Sequence, residues 1–212
     1  MNEEEIKEKI ISEGKSFILN QWSYYIQLEK MFLETESYVS IHKNNYKCYS
    51  TKYTELLFLI CGEIEMISKI ICKNIDNNFK FSDLTSIEEW FKIIETNEEI
   101  ADGIINFKVK AQLYDFEYVP WLNVRKETPS WWTAHNKLKH NRINNVVEAT
   151  LENTFNALAG LFVLEKIYFQ IISNNHHELC SKLYDGIQYF VPMDEWFYKS
   201  IFEKQIDLGC YL

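Results

Sequence analysis

Proline and glycine are scarce in this chain, 3 and 6 in 212 residues, so the backbone has few places at which regular structure must break. Over long stretches the apolar residues recur in steps of three and four. Together these features predict long helices. The composition is 47% hydrophobic and 16% aromatic, too apolar for a disordered segment. At this length it supplies one core, so residues 1–212 are read as a single, mostly all-α domain.

From about residue 3 to 36, Ile6, Ile10, Phe17, Leu19, Trp22, Tyr25, Ile26, Leu28, Phe32 and Leu33 mark one long amphipathic helix, with a break expected near Gly14. A polar loop follows at 42–50. Residues 55–75 are apolar on more than one face, which places that helix in the middle of a bundle. A third helix is expected at about 84–95, capped by Ser82 or Asp83. At 105–113 the period changes: Ile105, Phe107, Val109, Ala111 and Leu113 alternate with polar residues, a strand pattern. Phe116 and Tyr118, with Trp121 as a further candidate, would complete a small β-hairpin at about 105–119 before Pro120 stops the pairing, the alternative being a short irregular excursion. Helix resumes after Pro129, with Ser130 as its cap. The last long helix, about 146–173, has a wide apolar face and small residues Ala157, Ala159 and Gly160 that permit close packing, so it should be central. Further helices are expected near 178–184 and after Pro192.

Five cysteines, an odd number without a C-x-x-C pair, point to a reduced, cytoplasmic protein. The acidic start MNEEEIKEKI is unlike a signal peptide, and the apolar run 157–164 ends at Glu165 and Lys166, far short of the ~20 residues of a membrane span. No membrane association is expected. His176, His177, Glu178 and Cys180 have metal-ligand chemistry without metal-site spacing, and no Gly-rich phosphate loop occurs, so no metal or cofactor is expected. Glu63 and Glu65 lie on an otherwise apolar helix. They are read either as buried carboxylates with raised pKa values or as surface groups, with Lys69 a candidate partner for Glu63.

A net charge of −9 argues against a surface that coats nucleic acid throughout. One segment is the exception. Between 125 and 142 stand Arg125, Lys126, Lys137, Lys139 and Arg142 against a single acid, Glu127. On a helix starting near Ser130, Trp132, Asn136 and His140 share one face, and His135 and Lys139 the neighbouring one. Lys137, Lys139 and Arg142 can neutralise phosphate, Trp132 can stack on a base, and an imidazole can move protons, a set suited to a phosphodiester. The rival reading treats the basic helix as counter-charge to acidic neighbours, with Trp131 and Leu138 buried on its opposite face.

The run Ser130-Trp-Trp-Thr-Ala-His-Asn-Lys-Leu-Lys-His-Asn-Arg142, followed by the helix from Ala149 to Leu158, resembles the WW-x-A-x-N-K-x-K-H-x-R segment of bacterial HEPN-like proteins. The resemblance covers the C-terminal half. It implies a helical bundle, commonly a homodimer, found in toxin–antitoxin and phage-defence systems, with RNA or a nucleotide-like ligand as partner. It also implies metal-independent RNA cleavage in which a histidine and an arginine act on the 2′-hydroxyl and the scissile phosphate. The family's catalytic signature is Arg, four to six residues, then His; here Thr133, Ala134 and His135 occupy the places that arginine would take before His140. In place of that signature, the clustering of residues on this helix gives the candidate catalytic set for any such activity: His140 as general base, Lys139 and Arg142 stabilising phosphate, and Asn136 orienting. Lys139, His135, Trp132 and Lys137 are read as substrate-binding. The alternative is a non-catalytic, dimerising or partner-binding module in which the motif locks helices together.

Overall fold

In a computed structural model, residues 3–80, 86–111, 116–173 and 202–204 are described. The expected helices near 178–184, the His176–Cys180 cluster, and the proposed caps Ser82 and Asp83 lie outside them.

Helix α1 (Glu3–Phe17) passes through Gly14 without a break. The irregularity comes later, as a single π turn over Ile18–Trp22 that leads into α2 (Ser23–Leu33). The wider turn rotates Leu19 out to 60% exposure while Ile18 and Trp22 stay buried, so Leu19 is not the core residue its spacing predicted. Short 3-10 segments at Glu34–Ser37 and Lys43–Asn45 lead to α3 (Thr51–Ile75), capped by Ser50, whose Oγ accepts the Tyr53 N–H at 3.1 Å. Helix α4 (Ile87–Ile94) begins later than its apolar pattern suggested, because Ser86 and Glu89 close a capping box there.

Helix α5 (Glu98–Ile105), capped by Asn97, occupies residues just before the alternating run. Ile105 closes this helix rather than opening a strand. The strand shrinks to β1 (Val109–Ala111), paired antiparallel with β2 (Phe116–Tyr118), as the hairpin pattern predicted. A third strand, β3 (Phe202–Lys204), lies on the other edge of β1, where helix had been expected after Pro192. The sheet order is β2-β1-β3.

Helix α6 (Ser130–Asn145) starts with Pro129 in the N-cap position, so Ser130 is the first helical residue and not the cap. A 3-10 turn (Val146–Glu148) precedes α7 (Leu151–Ser173), which is shorter than the 146–173 run suggested. Tyr49 and Thr150 form an isolated bridge, and the Leu151 N–H donates to the Cys48 carbonyl at 2.8 Å. This pins the starts of α3 and α7 together, so the two central helices run parallel. Helix α7 is long and apolar enough to cross a membrane, but most of it is buried against the other helices. Phe32 stacks on its Phe155, Phe17 meets its Phe169, and Phe116 of β2 seats on Phe155 at 4.2 Å. The result is a helical bundle carrying a minimal sheet.

Candidate functional site

Helix α6 is driven into the bundle by its first turn. Trp131 is fully buried and lies over Gly160 of α7, where no side chain intervenes. Trp121 meets it edge-on at 5.3 Å and donates its indole N–H to the Gly160 carbonyl at 3.1 Å. Trp132 is also buried, 4% exposed, edge-on to Trp90 of α4 at 5.2 Å. It is therefore not on the charged face and offers no platform for a base. Along the stripe Trp132, Asn136, His140, exposure grades from buried through half-buried to exposed, so the three do not present one surface.

His135 is buried as well, at 6% exposure, edge-on to Phe58 of α3 at 5.5 Å. Burial foremost, then the Lys139 ammonium, pulls its pKa down to about 4, against the opposing influence of the Asn136 side chain, as acceptor, and the charge of Glu65. At neutral pH the ring is uncharged and adds nothing to phosphate neutralisation. Next to it on α3, Lys69 pairs with Glu65 at 2.6 Å; the partner of Lys69 is thus Glu65 and not Glu63.

The basic residues divide by partner. Arg125 donates to Glu95 at 2.9 Å and to Asp102 at 3.2 Å, tying its loop to α4 and α5. Lys137 pairs with Glu148 at 2.7 Å. Lys126, Lys139 and Arg142 are exposed and form no ion pair among the described residues. His140 is exposed beside them. The last three stand at the end of α6, where Asn141 leaves helical geometry (φ −154°, ψ 73°) and cations are favoured by the helix dipole. The kink is held by side-chain amides: Asn145 Nδ2 donates to the carbonyls of Asn141 at 2.7 Å and Lys137 at 3.2 Å. Chemically, this tip can hold an anion between Lys139 and Arg142 with an imidazole alongside. Exposed Ile143 and Val147 border it.

A second unusual group escaped the sequence reading. Glu165 of α7 is fully buried with both carboxylate oxygens unpartnered. Burial, and then the nearby Glu63, pushes its pKa well above the carboxylate range; Glu63 is itself raised by burial. A charged residue closing an apolar run was the available signal. Cys61 and Cys72 are buried core thiols, and burial pushes Cys72 up to about 12. Among the described residues no cluster of three or more His, Cys, Asp or Glu side chains is placed to hold a metal ion.

Comparison of the chain with protein-family models, with curated proteins and with solved structures gave no match.

Proposed function

We propose that this is a HEPN-like RNA-binding protein whose Lys139–His140–Arg142 tip engages the RNA backbone, with His140 as the general base of a metal-independent strand cleavage. The observation that carries the reading is the exposure of these three groups, without ion-pair partners, at a rigidly capped kink of a chain that is otherwise acidic. Lys139 and Arg142 neutralise the phosphate. An imidazole nitrogen of His140 takes the 2′-hydroxyl proton; the oxygen attacks phosphorus, the 5′-oxygen leaves and takes a proton from water, and a 2′,3′-cyclic phosphate remains. Asn136 sits one turn before His140 on α6 and takes the orienting role. The buried half of the motif, Trp131, Trp132 and His135, anchors the tip. Defence or toxin–antitoxin context belongs to the same proposal.

Fluorescence anisotropy with labelled single-stranded RNA tests the binding. Lys139→Ala is expected to weaken it and to lower the salt slope by about 0.7. Salt-independent binding, or binding indifferent to Lys139→Ala, overturns the reading. Cleavage assayed with chelator present should vanish in His140→Ala; cleavage that persists removes His140 as the base. Exposed Ile143 and Val147, 88% and 54%, favour a second reading, a dimerising or partner-binding module. It gains if RNA does not bind and Ile143→Glu dissociates a solution dimer.

A further inference from the structure

Between the end of α2 and the first turn of α3 lies a cavity of about 600 Å³, the size of a small-molecule site. Met31, Tyr38 and Val39 wall it on the α2 side, and Lys52 and Tyr53 on the α3 side. Hydrogen bonds fix these walls. The Thr35 carbonyl accepts the Tyr38 and Val39 N–H groups, both at 2.9 Å, and the Glu36 carboxylate accepts the Ile41 N–H at 2.6 Å. Beneath them Tyr53, 1% exposed, donates its hydroxyl to Thr35 Oγ1 at 3.4 Å, and Thr35 Oγ1 donates to the Phe32 carbonyl at 2.7 Å. The polar atoms of the floor thus satisfy one another, and the shape is formed before any ligand arrives.

Charge then selects the ligand. Lys52 is neutralised by Glu55 at 3.0 Å. Glu34, exposed on the cavity lining, has no ion pair or side-chain hydrogen bond among the described residues. Glu36 adds a second negative charge near enough to act on the Tyr53 hydroxyl, which burial foremost raises in pKa. The apolar groups are also only partly covered: Tyr38 is 88% exposed, and Met31 and Val39 are half-buried. We propose that this cavity binds an organic cation, an ammonium group on an apolar body, with the ammonium against the Glu34 carboxylate and the body on Met31, Val39 and the Tyr38 ring. A carboxylate ligand would meet Glu34 and Glu36 with only the already paired Lys52 to offset them. An inorganic cation would leave the apolar walls in water. The Tyr38 ring face adds its own attraction for an ammonium. This site is independent of the RNA-binding reading.

Calorimetric titration of the full chain with phenethylamine, phenethyl alcohol and phenylacetate compares one aromatic body carrying a positive, a neutral and a negative group. Phenethylamine is expected to bind about tenfold more tightly than either of the others, less so at high salt. Glu34→Gln should bring the ratio close to one, and Tyr38→Ala should weaken the amine by about threefold. Both side chains are exposed, so neither variant should alter Tm. Absence of phenethylamine binding at millimolar concentration, equal or tighter binding of phenylacetate, or an amine preference that survives Glu34→Gln overturns the proposal. Binding indifferent to Tyr38→Ala overturns it too, because the amine would then be held elsewhere.

Discussion

At the scale of single residues, two glycines on the two central helices have opposite surroundings and should respond oppositely to the same change. A Cβ on Gly62 enters open space, whereas on Gly160 it would sit 3.0 Å from Trp131 Cζ2 and 3.3 Å from Cη2. Trp131 is fully buried and held by Trp121, so it has no room to retreat. Both substitutions gain about 1 kcal/mol of helix propensity, but overpacking a closed site costs about 1–3 kcal/mol. In urea denaturation, Gly62→Ala is expected to stabilise by up to about 1 kcal/mol and Gly160→Ala to destabilise by on the order of 1 kcal/mol. The small-residue cluster around Gly160 was legible in the sequence as a place of close packing. Which ring would use it was not, because Trp131 and Gly160 meet only through the tertiary fold.

At the scale of elements, the long periods of α3 and α7 were legible because burial on several faces leaves an apolar run that no surface helix carries. Helix α5 was not, since its residues adjoin an alternation that mimics a longer strand, and Asn97 is its main local signal. Trp132 was misplaced for an energetic reason. Burying an aromatic ring removes roughly 150–250 Å² from water, worth about 4–6 kcal/mol at ~25 cal/mol per Å², against about 1–3 kcal/mol for stacking on a base. Core burial wins wherever a neighbour such as Trp90 is present. The packing of α3 on α7 carries the opposite kind of exception, the unpartnered carboxyl group of Glu165. An unsatisfied buried polar group costs about 1–3 kcal/mol. Glu165→Met, of similar volume, is expected to raise Tm at pH 7 by roughly 2–10 °C in a thermal melt. An unchanged or lowered Tm would show that Glu165 finds a partner.

At the scale of the whole molecule, a chain of net charge −9 places Lys139 and Arg142, both exposed and outside any ion pair among the described residues, at one end of α6, while two ionisable groups in the interior are held neutral. Those two groups bend stability against pH in opposite directions. His135 is depressed from 6.5 to about 4, so below pH 6.5 the unfolded chain binds a proton that the folded chain refuses until about pH 4. Its contribution is intact above 6.5 and is lost as pH falls through that window. Glu165 is raised well above 4.5, so above pH 4.5 unfolding releases a proton that the fold retains, and stability falls as pH rises. As pH rises from about 4.5 the two slopes oppose each other, and above 6.5 that of His135 is gone. Urea denaturation from pH 4 to 8 separates them. The advantage of Glu165→Met over wild type should grow with pH above 4.5, whereas the penalty of His135→Phe should shrink as pH drops from 6.5 to 4. A Glu165→Met advantage that is flat with pH would mean that the carboxyl group is ionised in the fold. A His135→Phe difference that is flat between pH 6.5 and 4 would mean that the ring takes up its proton in the fold as readily as in the unfolded chain.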